Sequence, residues 1–164
     1  MSKGRVWKYG DDVNTDVIFP GRYTYQLMEP AEMAKHAMED LDPEFAKNVQ
    51  PGDVVVGGKN FGCGSSREQA AACLRAAGVQ AVVAKSFARI YFRNAINLGL
   101  AVLQCEEASD ALKTGDEVEI DFVGGKILSG GRVFKFFPLP SSVIGIIEAG
   151  GLIEYTKKKL ASTR

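Results

Sequence analysis

The sequence predicts an α/β fold in which a parallel sheet with helical crossovers carries a β-rich flank. Three observations point there. First, the apolar runs Asp53-Val54-Val55-Val56-Gly57-Gly58, Ala81-Val82-Val83-Ala84 and Leu100-Ala101-Val102-Leu103 read as strands covered on both faces. Second, stretches of helical period separate them, giving strand–helix–strand–helix–strand. Third, from about residue 117 the pattern shifts to short strands punctuated by Gly124-Gly125 and Gly130-Gly131, which reads as a β-meander.

Each element follows in turn. Residues 5–10, Arg5-Val6-Trp7-Lys8-Tyr9-Gly10, alternate polar and apolar side chains as a half-buried strand does. A loop of turn formers over 11–16 leads to the apolar run Val17-Ile18-Phe19, stopped by Pro20-Gly21. Pro30 opens a helix over about 31–39, with Glu29 and Glu32 near its positive end. Pro51-Gly52 turns the chain into the strand at 53–58. A helix over 67–77 repeats Ala70, Cys73, Leu74 and Ala77 at helical spacing and stops at Gly78. The strand at 81–84 leads through Lys85-Ser86 into a helix at about 88–97, closed by Gly99, and the strand at 100–103 follows. Strands over 117–122, 126–128 and 132–137 form the meander, which Pro138 and Pro140 end. A helix at 141–149 and a short tail helix finish the chain, with 157–164 expected as a flexible tail. The economical assembly is one compact α/β domain over 1–164, with two layers of sheet and helices.

The 164 residues fit one domain with a sizeable core. Hydrophobic residues at 46% and charged residues at 24% are ordinary for a soluble globular protein. Twenty basic and twenty acidic side chains give zero formal charge, which removes the electrostatic footprint of a nucleic-acid binder. No stretch approaches the roughly 18 apolar residues of a membrane span. No apolar run follows Met1-Ser2-Lys3-Gly4-Arg5, so no signal peptide is expected and the cytoplasm is the expected location. Cys63, Cys73 and Cys105 lack CxxC spacing, so neither a disulfide framework nor a metal site of the chain's own is expected. His36, the single histidine, reads as a surface or capping residue.

The segment that carries chemistry is Asn60-Phe61-Gly62-Cys63-Gly64-Ser65-Ser66-Arg67-Glu68-Gln69. It leaves a buried strand and opens a helix, where free backbone N–H groups favour an anion. Gly62 and Gly64 let the backbone approach a ligand, Ser65 and Ser66 add hydroxyls, and Arg67 can clamp a carboxylate in bidentate fashion. The same residues admit a plainer explanation. Ser65 with Glu68, and Ser66 with Gln69, match capping-box spacing, and on spacing alone capping is the simpler reading.

Gly62-Cys63-Gly64-Ser65-Ser66-Arg67-Glu68, then Ala84-Lys85-Ser86-Phe87-Ala88-Arg89-Ile90 and Asn94-Ala95-Ile96-Asn97-Leu98-Gly99, resemble the small subunits of isopropylmalate isomerase and homoaconitase in the aconitase superfamily. Gly4-Arg5-Val6-Trp7 and the stretch Asn14-Thr15-Asp16-Val17-Ile18-Phe19-Pro20-Gly21-Arg22-Tyr23 are similar as well, and the likeness runs from about residue 4 to 155. The resemblance implies the swivelling β/β/α domain of aconitase-type enzymes. It implies that Ser65 is the base removing a proton from the carbon beside a substrate carboxylate. Ser66 and Arg67 would bind substrate and support the alkoxide, and Asp16 would face the site. It also implies a 4Fe-4S cluster held by a large partner subunit, in a heterodimer or heterotetramer, with none bound by this chain. The implied reaction removes water from a small hydroxy-dicarboxylate and adds it back in the opposite sense.

In that family the loop after the Pro-Gly turn reads the substrate's variable group, here Arg22-Tyr23-Thr24-Tyr25-Gln26-Leu27-Met28. Homoaconitases tend to carry an arginine where Tyr25 stands. Without it a third carboxylate would lie unneutralised in a closed site, which is costly. The loop therefore favours 2-/3-isopropylmalate, as in leucine biosynthesis. Dimethylmalate, citramalate and homoaconitate hydro-lyases, or a non-catalytic carboxylate-binding module, stand as alternatives. Arg22 would shift the choice if it turned inward; an exposed turn arginine is the simpler expectation.

Overall fold

The computed structural model describes residues 2–163. Valine-rich segments form the middle of its sheet because β-branched side chains pack well on a pleated surface. Strands β1 (Ser2–Lys8), β2 (Val54–Val56), β3 (Ala81–Ala84) and β4 (Ala101–Gln104) run parallel, with Val6 paired to Val54, Val54 to Ala81 and Ala81 to Ala101. β1 is also the seam of the sheet. Its other edge pairs antiparallel with β5 (Glu117–Asp121), which continues through β6 (Lys126–Ser129) to β7 (Arg132–Lys135). The order is β4-β3-β2-β1-β5-β6-β7.

One sheet by hydrogen bonding, it makes two layers in packing. Val54, Val56, Val83 and Leu103 share a buried cluster with Ile120, Ile127 and Phe134 of the meander. The curl brings the two outer edges together: Phe137 N donates to Gln104 O at 3.2 Å, and Cys105 Sγ lies 3.4 Å from Lys135 O. The alternate side chains, Val55, Val82, Ala84 and Val102, point to the opposite face. There they meet helices α4 (Gln69–Ala76) and α5 (Arg89–Asn97). The alternation explains why these strands read as unbroken apolar runs.

Several expected elements take a different form. The apolar run at 17–19 begins in a helix, with only Phe19 extended: α1 (Thr15–Ile18) forms because the Asn14 side chain accepts a hydrogen bond from Val17 N at 3.0 Å, an N-cap. The helix expected over 31–39 is α2 (Pro30–Lys35) and stops early. Met38 adopts φ of 60°, donates its N–H to Ile18 O at 2.8 Å and is fully buried, so core packing ends the helix. Two short helices had no periodic signature, α3 (Phe45–Asn48) and α6 (Glu106–Ala111). After α7 (Ser141–Ala149), α8 (Leu152–Ser162) carries 157–162, expected as a tail, as continuous helix. No helix among the described residues is long and apolar enough to cross a membrane.

Asp53, 2% exposed at the start of β2, fastens β1 to the turn before it. Its carboxylate accepts from Arg5 N at 3.1 Å, Trp7 Nε1 at 2.9 Å and Gln50 N at 2.9 Å. Asp53→Ala leaves three donors unpaired, one on Arg5, one on the Trp7 ring and one on Gln50. It is expected to lower unfolding free energy by about 3 kcal/mol in urea denaturation. A loss below about 0.5 kcal/mol would mean that water replaces the carboxylate.

Candidate active site at the carboxyl ends of the parallel strands

The loop after β2 is fixed from both sides. Toward β3, Phe61 N donates to Ser86 O and Ala88 N to Phe61 O, each at 3.0 Å, prolonging the parallel pairing beyond the strands. Toward the N-terminal segment, Gly62 N donates to Val13 O at 2.7 Å and Thr15 N to Cys63 O at 2.9 Å. Thr15 Oγ1 donates to Ser65 O at 2.8 Å. Phe61 is buried edge-on against Phe87 and Tyr91, with ring centroids 6.0 and 5.5 Å away. Tyr91 in turn donates its hydroxyl to Ala70 O at 3.1 Å, joining α5 to α4, and burial pushes its phenol well above the ordinary range. Gly62 has φ of 82°, and a β-carbon there would stand 2.2 Å from the Tyr91 ring.

This anchoring sets Ser65, Ser66 and Arg67 on the wall of a cleft of about 530 Å³. Both serines are exposed. Capping does not explain them: α4 begins at Gln69, and its N-cap, Glu68, makes no side-chain cap bond. The N–H groups of Ser65, Ser66 and Arg67 find no acceptor within the described chain, so they remain donors for an anion. Arg67 is largely buried, and its Nη1 lies 2.6 Å from Asp16 Oδ1. That contact is electrostatic and poorly aligned, for the same buried Nη1 has no hydrogen-bond acceptor in line. Arg67 thus keeps donor capacity for a ligand carboxylate. Gly21 makes room for the pair, since a β-carbon there would come within 2.6 Å of Asp16 Oδ1 and 3.0 Å of Arg67 Nη1.

The structure brings Asp16, Ser65, Ser66 and Arg67 together and keeps the loop at 22–26 off the cleft wall. Arg22 is turned outward, with Nη1 at 3.0 Å from Asp40 and Nη2 at 3.0 Å from Glu39. It also lies over the Tyr23 ring, whose centroid is 4.1 Å from His36 in a stacked pair. His36 is the C-cap residue of α2 and sits between Glu32 and Glu39, each at 3.4 Å. Thr24 O accepts from Gln69 Nε2 at 3.2 Å, tying the loop to α4 beside Arg67. Tyr25 and Leu27 are fully exposed, and Gln26 between them is exposed.

A model of the aconitase C-terminal domain matches residues 19–108, a span that contains the serine loop and both crossover helices. The chain belongs to the aconitase C-terminal domain family. Relatives cover its full length. A 3-isopropylmalate dehydratase small subunit of Caldicellulosiruptor bescii is 54% identical over 96% of each chain. An isopropylmalate/citramalate isomerase small subunit of Methanocaldococcus jannaschii is 50% identical over 99% of this chain and 97% of that one. A crystal structure of 3-isopropylmalate dehydratase from M. jannaschii superposes with a TM-score of 0.91 at 45% identity, covering 98% of this chain and 96% of that one.

For this member of the family, the opposite cleft wall escaped sequence reasoning. Arg89, Ile90, Arg93 and Asn94 line it. A signal was present: Arg89 opens a helix at its positive end, an unfavourable place for a cation. No group of three or more His, Cys, Asp or Glu side chains among the described residues could hold a metal ion. Cys73 and Cys105 are buried, which raises both thiols, and Cys63 stands apart on the serine loop. These cysteines do not fit an iron–sulfur cluster.

Gly62→Ala is expected to cost about 3 kcal/mol of stability, from left-handed backbone strain plus the clash with Tyr91. The urea midpoint measures it. A cost below about 1 kcal/mol would show that the ring moves aside.

Proposed function

We propose that this chain is the small subunit of a two-subunit hydro-lyase that interconverts 2- and 3-isopropylmalate by eliminating water and adding it back in the opposite sense. The observation that carries the reading is the Ser65-Ser66-Arg67 array. Its hydroxyls are free of any capping role, its N–H groups are unpartnered, and its arginine is buried against Asp16. The likeness to dehydratase small subunits over the whole chain supports the reaction class.

Arg67 and the free N–H groups hold a substrate carboxylate. Ser65, as alkoxide, takes the proton from the carbon next to that carboxylate and becomes a hydroxyl, the C–H electron pair forms the double bond, and the hydroxyl on the neighbouring carbon departs, protonated to water by an acid that the partner subunit would supply; in the reverse addition Ser65 returns its proton. Ser66 donates a hydrogen bond to the developing charge. Asp16 orients Arg67. On this reading a large partner subunit would hold a 4Fe-4S cluster and supply Lewis-acid chemistry; Cys63, Cys73 and Cys105 of this chain are not grouped to hold one. The place of action is the cytoplasm.

The outward pairing of Arg22 with Glu39 and Asp40 supports a neutral alkyl group over a third carboxylate, because no guanidinium of the loop is left to meet one. Citramalate is the second reading, supported by the isopropylmalate/citramalate isomerase relative.

Anaerobic reconstitution with the large subunit, followed by absorbance of the unsaturated intermediate, tests the assignment. Isopropylmalate, dimethylmalate, citramalate and homocitrate are offered in parallel, and isopropylmalate is expected to turn over fastest. Ser65→Ala is expected to lower kcat by about 10²- to 10⁴-fold. Retention of more than about a tenth of the activity would move proton abstraction to another group.

A further inference from the structure

The cleft chemistry uses one wall and leaves the other without a task. Arg89, Ile90 and Arg93 line that second wall from the first turns of α5. All three are exposed, Ile90 at 52%. Neither arginine forms an ion pair among the described residues. Their placement is locally unfavourable twice over. Arg89 is the first residue of the helix, at the positive end of its dipole. Arg93 stands one turn later, a like charge at i,i+4. The helix Arg-Ile-Tyr-Phe-Arg-Asn-Ala-Ile-Asn has no acidic residue to offset either. Local rules broken on an exposed face, with no compensation inside the chain, mark a surface arranged for something outside it.

The two arginines also line a second groove of about 490 Å³, with Phe87, Phe92, Ile96 and Val143, which Ser65, Ser66 and Arg67 do not line. They therefore stand on the ridge between groove and cleft. A small dicarboxylate in the cleft meets one flank of that ridge. A protein surface laid across it covers both.

We propose that the exposed ridge of α5, formed by Arg89, Ile90 and Arg93 with Phe92 beside them, docks the large subunit, and that the partner presents carboxylates opposite the two guanidinium groups. This rests on the two-subunit reading above. Covering the cleft removes water from both arginines, and a buried unpaired charge is strongly destabilising, so the covering surface has to be acidic there. Ile90 gives an apolar contact between the charges. Arginine and aromatic side chains are the types enriched at interface hot spots.

The test measures the Kd between the chain and the 3-isopropylmalate dehydratase large subunit of the same organism, by anaerobic calorimetry without substrate. Two double variants are compared with wild type, Arg89→Glu with Arg93→Glu, and Arg89→Gln with Arg93→Gln. Both sites are exposed, and matching thermal unfolding curves establish that each variant folds. Charge reversal is expected to raise Kd at least about a hundredfold and neutralisation about tenfold, with a flatter dependence on salt in both. Unchanged Kd with a raised KM for isopropylmalate would overturn the proposal and give the arginines to the substrate. Unchanged Kd with altered sedimentation of the isolated chain would overturn it in favour of a second copy of this chain. Failure of the wild type to bind the large subunit would remove the two-subunit reading itself, and the ridge with it. Failure confined to the variants' predicted weakening would remove the ridge alone.

Discussion

The serine loop is held from two sides, and the rest of the site takes its geometry from that double attachment. Phe61 exchanges hydrogen bonds with Ser86 and Ala88 of the turn after β3, while Gly62, Cys63 and Ser65 are bonded to Val13 and Thr15. The bonds reach the loop at its own backbone carbonyls and amides, so the hydroxyls of Ser65 and Ser66 stay uncommitted among the described residues. Both attachments reach the loop from parallel strands or their extensions, and so the loop inherits the rigidity of the sheet. Gly62 is the point where the two converge. Its positive φ turns the chain over the Tyr91 ring, and no side chain fits between.

The curl of the sheet explains why this loop is the one left open. The meander β5-β6-β7 covers one face of the parallel strands, and its far edge bonds to Gln104 beyond β4. Crossover helices α4 and α5 are then confined to the other face. Their N-termini gather above adjacent strands β2 and β3, at the carboxyl ends where open α/β sheets place ligands. The same closure protects the edge strands, which would otherwise offer unpaired backbone groups to another chain.

The parallel strands and their helices were legible because burial on both faces leaves an unmistakable apolar run, as at 81–84. The 17–19 segment gave no helical signal for a local reason: three apolar residues carry no period, and the helix there depends on the Asn14 cap and the burial of Ile18. Met38 could not be foreseen, since a methionine with positive φ is chosen by tertiary contact with Ile18 and not by propensity. Ser65, Ser66, Arg67 and Asp16 were read as site residues from one motif and a resemblance, and the fold brings the four together. Capping-box spacing spoke for a different role for the serines, and only the late start of α4 at Gln69 removes it. Arg89 and Arg93 lie some twenty residues on in sequence, and only the pairing of the Phe61 and Phe87 segments brings them to the cleft.

The exposure of Ser65 and Ser66 bears directly on why a chain with such a site would act with a partner. A serine alkoxide is a strong base, and it is populated only if its charge is stabilised more than water stabilises it. Two charges about 4 Å apart attract by about 1 kcal/mol in bulk water and by about 4 kcal/mol at the effective dielectric of a covered protein surface. The difference, about 3 kcal/mol, corresponds to a factor of more than 100 in favour of the alkoxide, against which the loss of its own hydration is set. Arg67 gains this only when water leaves the cleft, and nothing within the described chain covers it: Tyr25 and Leu27 point into solvent, and Arg22 is tied back to Glu39 and Asp40. Covering by a second protein would therefore do two things at once, completing the pocket and strengthening the attraction of Arg67 for the Ser65 alkoxide. On the proposed reading, Ser65 of the open chain would act as a base only once a partner closes over the cleft.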